Sequence, residues 1–177
     1  MTDVRSLEKF PSADWRNKIR IRPRAPEFWN MDDPSGKLDQ GNVVHSILSS
    51  VISEGDVNNA ITQAILSGMI AKAEEPVIRE MLIQVVSHPQ LSRCFSSSVQ
   101  ARTEAAILVP GGQTWRPDRV VFDRDELIVL EYKTGKQHPW HREQLQHYRT
   151  LLQDIGYRKV ILFLVYLYHP VEVLAVL

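Results

Sequence analysis

Two carboxylates and an ammonium group lie close together in the stretch RPDRVVFDRDELIVLEYKTG, residues 116–135. Side chains alternate between the two faces of a β-strand, so Glu131 and Lys133 share one face of the apolar segment ELIVLEY. If the preceding strand returns through the turn at 123–126, Asp118 lies nearly opposite Glu131. Neighbouring carboxylates repel each other unless a cation lies between them. Oxygen ligands on a rigid sheet suit Mg²⁺, so the pattern predicts a metal site at which Lys133 holds a water molecule.

An ordinary cross-strand ion pair is the alternative. Either Glu131 or Asp118 pairs with Lys133 or Arg119 in that interpretation. Such pairs are common at protein surfaces, and their net contribution to stability is small. The three residues alone leave the metal site and the ion pair equally open.

The first half of the chain has the periodicity of helices. From Leu38, apolar residues recur on one helical stripe as far as Ile52. Asp56 is typical of a residue that caps a second helix, over residues 57–69, and a third helix is predicted over 74–88. These segments together predict an N-terminal helical layer.

The second half changes to the pattern of strands, with one further helix. Strands are predicted over 99–108, 115–122, 127–134, 159–168 and 171–176, and an amphipathic helix over 140–156. The continuously apolar run KVILFLVYLY is typical of a central strand that is covered on both faces. The order predicts an α/β fold, with a mixed β-sheet core flanked by helices.

The domain organisation follows from the same patterns. Residues 1–37 mix proline, basic residues and large aromatics without a sustained period, and are interpreted as an N-terminal arm or connector. Its aromatics either pack on the domain, or the segment connects to a larger polypeptide and helps to bind a polyanion. Residues 38–177 are predicted to form one domain, with a helical insert around 56–95.

Composition excludes several classes of protein. The net charge is zero, so the overall charge gives no argument for a nucleic-acid partner. The single cysteine, Cys94, excludes an internal disulfide and a four-cysteine metal site. The longest apolar run is too short to span a membrane, and the N-terminal residues lack the apolar core of a signal peptide. We therefore expect a cytoplasmic protein without a membrane partner.

Four short motifs, in order along the chain, resemble those of a known family. Pro117–Asp118 followed by EYK at 131–133 resembles the signature of PD-(D/E)XK nucleases. GNVVH at 41–45 resembles the G-x-x-x-H motif of the RecB-like members. RTEAAI carries Glu104 where that family has a glutamate on its first core strand. QLQHY at 144–148 resembles the Q-x-x-x-Y motif that follows, and the similarity extends from about residue 38 to the end.

The resemblance implies a restriction-endonuclease-like fold and a DNA nuclease that depends on Mg²⁺ or Mn²⁺. The implied metal ligands are His45, Asp118, Glu131 and the carbonyl of Tyr132. Lys133 would position the attacking water, and Gln144 and Tyr148 would orient the phosphate or the lysine. Glu104 would contact a ligand or bind the helix that carries His45, and Gly41 would support that helix. The residues implied to contact DNA phosphates are Arg116, Arg119, Lys136, Arg142 and Arg149.

The same resemblance extends to the C-terminal nuclease region of UvrD/Rep-type helicases related to RecB and AddA. It implies an exonuclease-type module for DNA repair or recombination, which acts with a helicase motor in the same chain or in a partner subunit. No phosphate-binding G-x-x-x-x-G-K-[ST] loop is present, so the chain is not expected to be that motor. Some relatives hold an iron–sulfur cluster with four cysteines. This chain has only Cys94, so no such cluster is expected. Glu131 stands where the subfamily more often has aspartate.

Two other interpretations of the chain stay open. The first is a catalytically silent DNA-binding or docking module of a repair helicase, because a fold can persist after its chemistry is lost. The second is a structural α/β domain in which the motifs arise by coincidence, with Gln144 facing solvent and Glu104 an exposed strand residue. The remaining histidines lack zinc spacing and are interpreted as surface or groove residues: His88, His138, His141, His147 and His169.

Overall fold

The computed structural model describes residues 37–108 and 114–177. The arm predicted over residues 1–37 lies outside this part of the chain, except for its last residue. Among the described residues, no helix combines the length and the apolar character needed to cross a membrane.

Three helices form the predicted N-terminal layer: α1 (Lys37–Ser50), α2 (Val57–Leu66) and α3 (Glu75–Val86). Their apolar stripes are buried against one another and against the sheet. The segment predicted as a helical insert thus contains α2 and α3. Asp56 directly precedes α2, but its carboxylate accepts hydrogen bonds from the backbone of Ser53 and Ile52 and stabilises the short turn before the helix.

A five-stranded mixed sheet forms the centre of the domain. Its strands are β1 (Gln100–Thr103), β4 (Arg119–Asp123), β5 (Glu126–Lys133), β6 (Val160–Tyr166) and β7 (Glu172–Val176), in spatial order β1-β4-β5-β6-β7. The pair β5–β6 is parallel and is connected by helix α4 (Pro139–Asp154), whereas the other neighbours are antiparallel. The predicted α/β class with a mixed sheet and flanking helices is confirmed.

The sheet is covered on both faces, and β5 shows which residue faces which layer. Ile128, Leu130 and Tyr132 pack in the core shared with α1, α2 and α3. Leu127 and Val129 pack in the second core, against α4. Because side chains alternate along a strand, Glu131 and Lys133 also face α4, as the sequence predicts.

Two predicted strands are each interrupted. The segment 99–108 divides into β1 and β2 (Ile107–Leu108), and the segment 115–122 divides into β3 (Thr114–Trp115) and β4. Strands β2 and β3 pair with each other in a separate two-stranded sheet. Proline has no N–H group for the ladder, so Pro117 interrupts the strand between β3 and β4.

The second interruption lies at Glu104, whose φ angle of 52° is in the left-handed region. Its N–H group donates a hydrogen bond to the carbonyl of Asp118 at 3.0 Å, where the chain leaves the sheet. The two interruptions therefore meet, and they place Glu104 and Asp118 side by side at one end of the sheet.

Candidate active site

His45 and Asp118 form the first part of the site. His45 Nε2 lies 3.0 Å from Asp118 Oδ1, and Asp118 Oδ2 accepts a hydrogen bond from the N–H group of Tyr132 at 2.7 Å. Both carboxylate oxygens are thus held in place by neighbours on α1 and β5. The register of the β4–β5 pair, in which Arg119 lies opposite Leu130, places Asp118 opposite Glu131, as predicted.

Helix α1 carries His45 to this position. Val44 and Leu48 are fully buried in the helical core, so the helix is anchored on both sides of the histidine. The His45 ring meets the Tyr132 ring edge to face, with 5.7 Å between the centroids. Gly41 lies one helical turn earlier in the same helix.

Glu104 joins this pair in a candidate metal site. The ligand atoms of His45, Glu104 and Asp118 all lie within 4.8 Å of one another. A non-glycine residue in the left-handed region carries a conformational cost of about 1–3 kcal/mol, which the surrounding structure must offset. The sequence predicts Glu104 to be a supporting residue. Its positive φ angle, which brings it close to His45 and Asp118, could not be predicted from the residue types around it.

A second group of polar residues lies on the α4 side of β5. Lys133 Nζ donates to Glu131 Oε1 and to Gln144 Oε1, both at 2.8 Å. Gln144 Nε2 donates to Glu131 Oε1 at 2.9 Å and to the Tyr148 hydroxyl at 3.0 Å. That hydroxyl donates in turn to the carbonyl of Arg116 at 3.3 Å. The predicted placement of Gln144 and Tyr148 on the helix face towards Lys133 is therefore confirmed.

Glu131 is the most perturbed carboxylate at the site. Burial and the nearby charge of Asp118 raise the pKa of Glu131 to about 7, although Lys133 partly opposes this effect. Its Oε2 atom is buried and has no hydrogen-bond partner among the described residues. A buried carboxylate oxygen without a partner is costly, and a bound cation would remove that cost.

The pKa of two further groups is also shifted. The hydrogen bond to Asp118 raises the pKa of His45, although burial acts in the opposite direction. Burial and the charge of Glu131 raise the pKa of the Tyr148 phenol well above its usual range. Tyr148 therefore remains protonated near neutral pH and donates its hydrogen bond as a neutral hydroxyl.

These residues fit a divalent cation. A histidine nitrogen and carboxylate oxygens converge at one end of the sheet, and oxygen-rich donor sets of this kind suit Mg²⁺ and Mn²⁺. The observation that supports the fit is Glu131 Oε2, which is buried and has no hydrogen-bond partner within residues 37–108 and 114–177. Tyr132 offers only its carbonyl, because its side chain packs in the core on the other face of the sheet.

Two of the predicted phosphate contacts are corrected by the structure. Arg119 is fully buried, and its guanidinium donates to the carbonyls of Val51, Ile52 and Cys94. It lies on the opposite face of β4 from Asp118, because the two residues are adjacent in the chain. Arg149 donates to the carbonyl of Val176 at 2.8 Å, and is therefore engaged by β7.

The other three predicted basic residues, Arg116, Lys136 and Arg142, are exposed to solvent. Arg116 precedes Asp118 by two residues, and Arg142 lies in the first turns of α4, two residues before Gln144. Their exposure leaves all three accessible to a polyanion.

Sequence reasoning missed part of the cleft that opens beside the network. The cleft has a volume of about 320 Å³ and is lined by His45, Tyr132, Lys133, Thr134, Trp140 and His141. His141, interpreted from sequence as a surface or groove residue, is buried, and its Nδ1 lies 2.8 Å from the Tyr166 hydroxyl. The sequence signal that could have indicated this wall is the pair of aromatic rings at the start of α4.

Comparisons with known proteins add a family to this geometry. No curated protein matches the chain. A solved structure described as "Crystal structure of SSO0001" shares 19% sequence identity, with 84% of this chain and 79% of that chain covered and a TM-score of 0.30. The sequence profile of the PD-(D/E)XK nuclease superfamily matches residues 13–170. The mixed sheet with flanking helices is consistent with the restriction-endonuclease-like fold of that superfamily, and the chain belongs to the PD-(D/E)XK nuclease superfamily.

Proposed function

We propose that this protein is a DNA nuclease that hydrolyses phosphodiester bonds with the help of Mg²⁺ or Mn²⁺. The observation that carries the proposal is the hydrogen-bonded group of Glu131, Lys133 and Gln144, which lies next to the pair His45–Asp118. Membership of the PD-(D/E)XK nuclease superfamily supports nuclease chemistry at this site.

The residues proposed to hold the cation are His45, Asp118, Glu131 and the carbonyl of Tyr132. Glu104 lies close enough to the first two to share in binding or to orient them. A divalent cation at such a site supplies positive charge that stabilises the transition state at phosphorus and lowers the pKa of a water molecule.

Lys133 is proposed to position the attacking water. A lysine ammonium has three N–H donors, and in this protein two of them are given to Glu131 and Gln144. The third donor is proposed to bind a water molecule in the cleft that Lys133 lines. Gln144 is in turn fixed by the Tyr148 hydroxyl, so the lysine is held by a connected network and not by a single contact.

The proposal also covers the kind of nuclease and the process in which it acts. The motifs that resemble RecB-like nucleases supply His45, Gln144 and Tyr148, and these residues lie around one site with Asp118 and Lys133. This supports an exonuclease-type module that acts on DNA during repair or recombination, with a helicase motor in the same chain or in a partner subunit. Arg116, Lys136 and Arg142 are exposed and are proposed to contact phosphates without reading sequence.

A paired measurement of cleavage and binding tests the proposal. Lys133→Met removes the ammonium and should lower the cleavage rate with Mg²⁺ or Mn²⁺ by about 10²–10⁴-fold. DNA affinity measured in Ca²⁺ should change much less, because binding is spread over several phosphate contacts. Lys159→Met is a matched control, because Lys159 is an exposed lysine that pairs with Glu126 at the turn end of β5.

The outcomes separate the nuclease from a silent binding module. Loss of cleavage in Lys133→Met, with Lys159→Met unchanged, supports the nuclease. Wild-type protein that binds DNA but never cleaves it, even when joined to a helicase motor, would show a binding module instead. Cleavage at the wild-type rate by Lys133→Met would contradict the role given to the lysine.

A further inference from the structure

Trp140 is a large aromatic side chain at the rim of the active-site cleft. It is 48% exposed, although it lines the same cleft as His45 and Lys133. It is the second residue of α4, immediately after Pro139. Tryptophan is highly buried on average and is enriched at binding interfaces, so a half-exposed tryptophan that lines the proposed reaction site is a candidate binding residue.

The tryptophan ring is held in place by its neighbours. His138 caps the helix, because its Nδ1 accepts a hydrogen bond from the backbone N–H group of Trp140 at 3.3 Å, and this fixes the start of the helix. The ring of His141 meets the Trp140 ring edge to face, with 4.3 Å between centroids, and His141 is itself fixed by its contact with Tyr166. An exposed ring with this support loses little conformational entropy when a ligand binds to it.

Trp140 also lies next to the lysine that is proposed to position water. Lys133 Nζ lies over the Trp140 ring, 5.2 Å from its centroid, and 2.8 Å from Glu131 Oε1. A DNA phosphate bound at Lys133 and Glu131 would therefore bring its own nucleoside close to the Trp140 ring. The flat apolar surface of an indole ring is suited to stack on a nucleobase of any sequence.

This arrangement favours an unpaired base. Inside a duplex each base is stacked and paired, so it must be unstacked before it can stack on a protein side chain. Stacking on Trp140 therefore favours DNA that is single-stranded at the point of cleavage.

We propose that Trp140 is a base-stacking residue that makes the site selective for single-stranded DNA. The inference rests on the proposed function, because it places the DNA phosphate at Glu131 and Lys133. In this view Trp140 binds the nucleobase adjacent to the cleaved bond, while the exposed arginines and Lys136 contact the backbone beyond it.

Binding without cleavage gives the direct test. The affinities of wild type, Trp140→Phe and Trp140→Ala are measured in Ca²⁺ for a short oligothymidylate and for the same backbone made of abasic sites. Trp140→Ala should bind the oligothymidylate about 5- to 150-fold more weakly, which is the usual effect of losing one stacked base. The affinity of Trp140→Ala for the abasic strand should equal that of wild type for the same strand. The affinity of Trp140→Phe for the oligothymidylate should lie between those of wild type and Trp140→Ala.

Tyr157→Ala is the matched control. Tyr157 is also a partly exposed aromatic, at 40%, but it follows the opposite end of α4. A sixteen-residue helix is about 24 Å long, so Tyr157 lies far from the cleft. This variant should bind both strands as wild type does, and thermal unfolding of each variant shows whether it is folded.

Cleavage supplies an independent measurement. Wild type should cleave single-stranded DNA faster than blunt duplex DNA, and Trp140→Ala should lose most of that preference by slowing on the single strand alone.

An equal loss of affinity for the abasic strand and the oligothymidylate would overturn the inference, since Trp140 would then act through Lys133 or through the fold. Unchanged affinity in Trp140→Ala would overturn it as well.

Failure of the inference differs from failure of the proposed function. Wild type that cleaves DNA while Trp140→Ala binds normally retains the nuclease and rejects the stacking role. Wild type that binds single strands through Trp140 but cleaves nothing supports the stacking role and rejects the nuclease.

Discussion

Gln144 on α4 accepts a hydrogen bond from Lys133 at 2.8 Å and, through its other amide atom, donates one to Glu131 at 2.9 Å. One neutral side chain thus contacts both charged residues that share a face of β5. The ammonium and the carboxylate are fixed relative to each other by the helix as well as by their own contact.

Replacement of Gln144 should therefore impair activity without removing either charge. We expect Gln144→Ala to lower metal affinity or cleavage rate by about 10- to 100-fold, the usual effect of losing a residue that orients a metal ligand. Gln153→Ala is the control, because Gln153 is an exposed residue on the same helix. Steady-state cleavage and Mn²⁺ titration of both variants check the prediction, and equal activity of the two would contradict it.

The metal ligands can be assigned by comparing two glutamates. Glu131 is implied as a ligand by the family resemblance, whereas Glu104 is the glutamate that the structure groups with His45 and Asp118. We expect Glu131→Gln to abolish Mn²⁺ binding, because the substitution removes the negative charge of a carboxylate whose buried Oε2 atom has no partner in the part of the chain that the structure describes. Glu104→Gln should weaken binding by about 10- to 100-fold.

Calorimetric titration with Mn²⁺ measures both variants against wild type. Loss of binding in Glu104→Gln together with normal binding in Glu131→Gln would show that the ion is held by the group His45–Glu104–Asp118 instead. Asp118→Asn should abolish binding in either case, since Asp118 belongs to both ligand sets.

Glu131 and His45 should lower the stability of the metal-free protein as the pH rises from about 4.5 through 7, whereas burial lowers the pKa of His141, which acts in the opposite direction. The pKa of Glu131 is raised to about 7 from an ordinary value near 4.5, so the folded state binds this proton more tightly than the unfolded state. The pKa of His45 is also raised, so its contribution to stability is present below its ordinary value of 6.5 and is lost as the pH rises through the higher folded value.

Thermal unfolding in the presence of a chelator, measured between pH 4.5 and 8, checks this sign. Glu131→Gln should flatten the profile, because a neutral amide has no proton to lose in this range. Mn²⁺ should restore stability most strongly above pH 7, since the cation competes with the protons on Glu131 and His45. A wild-type protein that becomes steadily more stable towards pH 8 without metal would contradict the prediction.

The parts of the site that depend on local structure could be predicted from the sequence. The tight turn and the alternation of β5 are local properties, so the approach of Asp118 to Glu131 and the shared face of Glu131 and Lys133 were predictable. The spacing of Gln144 and Tyr148 on one helix face was predictable for the same reason. Each of these relationships depends on residues that are close in the chain or on regular periodicity.

The close approach of Glu104 to His45 and Asp118, and the position of Trp140, were not predictable in this way. The place of Glu104 depends on a left-handed backbone angle and on a hydrogen bond to Asp118, fourteen residues later in the chain. The position of Trp140 depends on how α4 crosses from β5 to β6 and on the contact between His141 and Tyr166. These are tertiary relationships, and single residue types carry no signal for them.

Arg119 provides a further prediction, because its buried position gives it a structural role and not a DNA contact. Its guanidinium donates to the carbonyls of Val51 and Ile52, just after α1, and to that of Cys94, and it lies over the Phe95 ring at 4.2 Å. It therefore holds the helix that carries His45 against the sheet. Arg119→Met leaves three buried or partly buried carbonyls without this donor, which should cost about 3 kcal/mol or more of unfolding free energy.

The same reasoning separates Arg119 from the exposed arginines. Arg142→Ala should leave the unfolding free energy within about 0.5 kcal/mol of wild type. It should weaken DNA binding in Ca²⁺ and lower the slope of log affinity against log salt concentration by about one, as expected for a lost phosphate contact. Arg119→Met, studied at a temperature at which it remains folded, should keep the wild-type salt slope, because the guanidinium it replaces is buried, donates to protein carbonyls and has no access to a phosphate. Denaturant unfolding measures the stability of the two variants, and salt-dependent DNA binding measures their salt slopes. A lowered salt slope in folded Arg119→Met would show that Arg119 contacts DNA.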